Sequence, residues 1–116
     1  MNIETLREYC LTKPGVTESF PFDAVTLVFK VGGKMFALAD IEKQPLELAL
    51  KCDPEKAVQL RETFDAVRPG FHLNKTHWNT VTADERLRDS QLREWIDDSY
   101  GLVYSRLTRT VKEGLK

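Results

Sequence analysis

Between Arg68 and Val81 the chain reads Arg-Pro-Gly-Phe-His-Leu-Asn-Lys-Thr-His-Trp-Asn-Thr-Val. A guanidinium, an ammonium, two imidazoles, two carboxamides and an indole fall within fourteen residues that include a Pro-Gly breaker. Such a set can neutralise phosphates through Arg68 and Lys75, stack a base on Trp78 and read base edges through Asn74 and Asn79. The nucleic-acid reading takes Arg68, His72, Asn74, Lys75, His77 and Trp78 as its contacts, joined by Arg86 and Arg88 further along. A structural use of the same residues competes with it. Trp78 fills a core, His72 and His77 bond backbone groups, and Asn74-Lys75 makes a turn. In a strand beginning at His77, Trp78 and Thr80 point one way and His77 and Asn79 the other.

Other chemistries find less support. A metal site needs His72 and His77 to converge with Asp84 or Glu85, and their five-residue spacing matches no standard ligand pattern. Cys10 lies in an apolar helical pattern and reads as a small buried hydrophobe. Cys52 precedes Asp53-Pro54, a helix start whose dipole favours thiolate, although burial as a plain core residue is the simpler expectation. Nothing pairs either thiol with a histidine. Gly32-Gly33 has no helix behind it and cannot form a phosphate loop. No enzymatic constellation, no cofactor and no metal are expected; a small-molecule pocket beside His72 and His77 ranks last.

Charge constrains the partner. Seventeen Lys and Arg against eighteen Asp and Glu leave −1 overall. Proteins that hold nucleic acid through phosphates generally carry a basic excess, so binding here requires segregation of charge onto one face. Arg106, Arg109, Lys112 and Lys116, opposed by Glu113 alone, form the densest local excess, which would also complement a helix dipole. Placed beside Arg68, Lys75, Arg86 and Arg88, this run would complete a positive stripe. No apolar run approaches the ~20 residues of a membrane helix. The N-terminal Met-Asn-Ile-Glu-Thr-Leu-Arg-Glu lacks the basic start and apolar middle of a secretory signal. A cytoplasmic protein without a membrane partner is expected.

The elements that position these groups follow from periodicity. Ile3, Leu6, Tyr9 and Cys10 predict a first helix capped by Asn2 and ended by Pro14-Gly15. Val16–Asp23 reads as a loop whose Phe20 and Phe22 cover a core edge. Val25, Leu27, Phe29 and Val31 alternate up to Gly32-Gly33, predicting a hairpin in which Phe29 faces Phe36 and Leu27 faces Leu38. Its other face carries Thr26, Val28, Lys30, Met35, Ala37 and Ala39, apolar enough for a protein partner to cover the part around Val28, Met35 and Ala37. Leu46, Leu48 and Leu50 make a third strand. Asp53 then caps a helix buried through Ala57, Leu60 and Phe64. Phe71–Leu73 is a short extended piece, Asn74-Lys75 a turn and His77–Thr82 a strand. Asp89 or Ser90 caps a last helix with Leu92, Trp95, Ile96, Tyr100, Val103 and Leu107 on one stripe, and Gly101 permits close packing or a bend. The order α-β-β-β-α-β(β)-α gives an α+β two-layer sandwich, an antiparallel sheet with helices on one face, in a single domain over residues 1–116.

The string from Arg68 to Val81 resembles the signature of the MmcQ/YjbR family of small bacterial proteins. The likeness extends to Tyr9-Cys-Leu-Thr-Lys-Pro-Gly15, Asp89-Ser90 and Asp98-Ser-Tyr100, covering nearly the whole chain. It implies a compact α+β fold akin to CyaY and type III secretion chaperones, and DNA as the partner. It brings no catalytic residues with it.

Two classes of function therefore stand: a nucleic-acid-binding module acting through residues 68–79, or a protein-interaction, chaperone-like module acting through the outer sheet face.

Overall fold

The computed structural model describes residues 1–70 and 73–115. Phe71, His72 and Lys116 lie outside the described residues, and with them most of the extended piece expected at 71–73. The elements are α1 (Ile3–Leu11), β1 (Val16–Ser19), β2 (Thr26–Val31), β3 (Lys34–Asp40), β4 (Leu46–Lys51), α2 (Pro54–Thr63), β5 (Val67–Pro69), β6 (Trp78–Ala83), α3 (Asp89–Ser105) and α4 (Arg109–Gly114). The strands form one sheet in the order β1-β2-β3-β4-β6-β5, antiparallel throughout, with β1 and β5 at its edges. Leu6 and Cys10 of α1, Leu60 of α2, and Leu92, Trp95, Ile96 and Val103 of α3 pack in one cluster with Leu27, Phe29, Val31, Leu46, Leu48, Leu50 and Val81. The expected α+β layering is thus the one found, with β1, β5 and α4 beyond the elements read from the sequence.

The caps follow sequence chemistry closely. Asn2 accepts the Thr5 N–H at 2.9 Å while Thr5 Oγ1 accepts the Asn2 N–H at 2.9 Å, a reciprocal pair that satisfies two orphan donors. Asp53 caps α2 ahead of Pro54. At α3 the expectation fails. Arg88 occupies the cap with no side-chain hydrogen bond, and Asp89, one residue inside, meets the Met1 ammonium at 3.0 Å. A carboxylate there still complements the helix dipole.

Further expectations are corrected. Val16–Ser19 is a strand, not a loop; alone it is too short and polar to signal one, and it becomes a strand by pairing with β2. Phe20 and Phe22 join neither buried cluster, being 46% and 65% exposed. The β2–β3 register also shifts: Lys30 pairs with Met35 but Phe29 pairs with Ala37, which leaves Phe36 as the extra residue of a bulge. Phe36 and Ala37 both join the helix-side core, while Leu38 turns to the opposite face beside Val28. The Phe36 carbonyl accepts from the buried Ser99 hydroxyl of α3 at 2.5 Å. Gly101 is exposed with open space around it, so close packing does not depend on it. The chain turns after α3, and the separate α4 follows.

Candidate nucleic-acid interface

The sheet face away from the helices has its own small cluster. Strand alternation places Thr26, Val28 and Lys30 of β2, Leu38 of β3, Glu47, Ala49 and Lys51 of β4, Trp78, Thr80 and Thr82 of β6 and Arg68 of β5 on it. Val28, Leu38 and Trp78 are buried there, with Met35, Ala49 and Leu73 packed around them. Trp78 is 8% exposed and Val28 fully covered. The chain therefore seals much of the surface that a protein partner was expected to cover. Ala37, assigned to that surface, lies on the helix side.

Around this cluster the charges separate by end. Lys30 is next to last in β2, Lys51 ends β4 as the register partner of Trp78, and Lys75 stands in the turn just ahead of Trp78. All three lie at the same end of the strands. Lys30 and Lys51, with β3 between them, are about 10 Å apart at ordinary strand spacing. Among the described residues none of the three has an ion-pair partner. The carboxylates of this face, Asp40 and Glu47, stand at the far end. Glu47 is occupied by Arg68 at 2.6 Å and Lys43 at 3.5 Å.

The turn that carries Lys75 is held from below. Asn74 Oδ1 accepts the Thr76 N–H at 2.9 Å, and the Asn74 carbonyl accepts the N–H groups of His77 and Trp78 at 3.2 and 3.0 Å. The His77 carbonyl accepts the Cys52 N–H at 2.7 Å. Arg61 of α2 donates to the Lys75 carbonyl and, at 2.6 Å, to Asn79 Oδ1. Asn79 is 2% exposed and returns its amide to the Ala57 carbonyl at 3.3 Å. It belongs to the α2 contact and presents no edge to a base.

The other expected contacts are spread out. Asn74 and Lys75 are exposed and His77 half-buried; His72 lies outside the described residues. Arg68 is exposed but committed to Glu47. Arg86 grips Asp84, whose carboxyl it holds below the usual 3.8. Arg86 and Arg88 follow β6 at the end opposite Lys51 and share a shallow cleft with Phe64, Ser90 and Glu94. They cannot extend the lysine surface, so the expected stripe through them does not form. Arg106, Arg109 and Lys112 of the C-terminal run instead lie at the lysine end, because Leu107 and Val111 press on Gly32 of the β2–β3 turn. Lys30 and Lys51 were not singled out from sequence, although strand alternation, with Lys51 opposite Trp78, was the signal that placed them.

A small cavity of about 20 Å³ between α2, α3 and the sheet, lined by Leu60, Trp95 and Cys52 among others, has room for a water and no more. Burial pushes the Cys52 thiol up, against any help from the helix dipole, and takes Cys10 to about 12. Both are plain core residues. No group of three or more His, Cys, Asp or Glu among the described residues is placed to hold a metal ion. No helix among them is long and apolar enough to cross a membrane.

Comparison with known proteins agrees with this architecture. The chain is 42% identical to the Escherichia coli K12 protein YjbR over 101 residues, 86% of this chain and 85% of that one. It is 35% identical to YbdF of Escherichia coli O157:H7 over 106 residues, 91% and 87% of the two. The crystal structure of Deinococcus radiodurans DR2400, a DUF419 domain, superposes with a TM-score of 0.92 at 42% identity, covering 98% of this chain and 87% of that one. A Pseudomonas syringae protein of known structure gives 0.76 at 26% identity, covering 89% and 99%. The YjbR family profile matches residues 11–102, and with these relatives it establishes that the chain belongs to the YjbR family.

Proposed function

We propose that this chain is a non-catalytic, cytoplasmic nucleic-acid-binding module that grips phosphates with Lys30, Lys51 and Lys75. One observation carries the reading: these lysines, without ion-pair partners among the described residues, stand at one end of a sheet face on which none of the described helices packs. Segregation of this kind is what a chain of net charge −1 needs in order to attract a polyanion. Because the Trp78 ring is packed away rather than offered for stacking, the contacts are to the backbone and independent of base sequence.

Fluorescence anisotropy with labelled duplex and single-stranded DNA across a salt series tests this. Engagement of three phosphates predicts a log–log salt slope of about −2.7 on duplex and about −2.1 on single strand. Lys51→Gln or Lys75→Gln should each reduce the slope by about one, equally for unrelated sequences. Absence of binding at low salt, or variants indistinguishable from the parent, ends the proposal.

A further inference from the structure

Polar side chains are expensive to bury, and Asn79, Thr82 and Ser99 are the buried polar residues among those described. Two of them bear on the backbone of the lysines. Ser99 Oγ, fully covered, accepts the Lys51 N–H at 2.8 Å while donating to the Phe36 carbonyl. It stands where a ladder bond between β3 and β4 would otherwise continue beyond Ala37–Leu50. Asn79 holds the Arg61 guanidinium, and that guanidinium reaches on to the Lys75 carbonyl. Two helices behind this end of the sheet thus each send one polar group through to the main chain of one lysine: α3 to Lys51, α2 to Lys75.

We infer that Arg61 and Ser99 are positioning residues of the phosphate-gripping surface, fixing Lys75 and Lys51 from the opposite layer without touching the ligand. The inference rests on the reading of Lys30, Lys51 and Lys75 as phosphate contacts. Its physical basis is pre-organisation: a lysine whose backbone is already fixed loses less freedom when it meets a phosphate. The planar fork of Arg61 makes two bonds in different directions, which a lysine's single ammonium on a flexible stem does not reproduce.

That difference supplies the test. Arg61→Lys keeps the charge and removes the fork; Ser99→Ala removes a hydroxyl and no charge. Both are compared with the parent by thermal unfolding, amide hydrogen exchange and DNA anisotropy. In Arg61→Lys, exchange at the His77 and Trp78 amides should accelerate about tenfold or more, and in Ser99→Ala exchange at Lys51 should do so. Affinity for a DNA duplex at low salt should fall about three- to tenfold in each. If only the charge of Arg61 mattered, Arg61→Lys would bind as the parent does, and that result overturns the inference. So does unchanged exchange in both variants. Should the parent bind no DNA, the functional reading fails, while the exchange rates still decide whether Arg61 and Ser99 order these two backbones.

Discussion

Gly32 lies directly under Leu107: a Cβ on it would stand 2.7 Å from the leucine Cδ1 and 2.9 Å from Val111 Cγ1. Its neighbour Gly33 shares the left-handed backbone, with φ of 79° against 58°, but faces open space. The pair separates backbone strain from packing. Gly33→Ala should cost about 1–2 kcal/mol, the penalty for a Cβ in that region. Gly32→Ala should cost more, since it also pushes Leu107 and α4 off the hairpin turn. Urea unfolding of both variants checks this; equal losses would mean that α4 does not press on the turn.

Trp78 closes the outer-face cluster over Val28 and Leu38. Trp78→Ala should therefore lower stability by about 3–5 kcal/mol, as for other large-to-small changes in a core. An exposed stacking platform would tolerate the change with little loss. Chemical denaturation distinguishes the two, and a loss under about 1 kcal/mol would place the indole outside the packing.

Acid should weaken the fold. The Arg7 guanidinium, bonded to Glu18, holds that carboxyl below its ordinary 4.5. For Asp97, burial pushes the carboxyl up, but the hydrogen bonds from Lys13 and Tyr9 outweigh it and leave the group below 3.8. A carboxyl depressed in the folded state contributes stability that is complete above its unfolded value and disappears as pH falls through the folded one. The Tm should accordingly be flat near neutrality and drop once pH passes below the ordinary 4.5 of Glu18. Glu18→Gln should flatten part of that drop. A Tm unchanged between about pH 5 and 3 would contradict the assignment.

Legibility from sequence tracked how local each determinant was. The Asn2 and Asp53 caps, the alternating leucines of β4 and the α3 stripe were all readable, since each is written within a few consecutive residues. β1 was not, because its four residues become a strand only by meeting β2. The hairpin register misled for a different reason. Counting from Gly32-Gly33 assumes an even ladder, and nothing local to the turn announces the extra residue at Phe36, whose carbonyl meets a hydroxyl sixty-three residues away. The same limit governed the candidate interface. Residue types in the 68–81 string were visible, but which of them face solvent was set by α2 and by the indole turning onto the sheet. Lys75 stayed outside, Asn79 went in, and the neighbours that share the surface came from β2 and β4.

The two outermost strands carry a last consequence. β1 has four residues and is bracketed by Pro14 and Pro21, while β5 has three and finishes on Pro69. A proline offers no N–H, so a foreign strand aligning with either border runs out of partners almost at once. The molecule can leave both borders of its sheet open without serving as a seed for runaway stacking of chains.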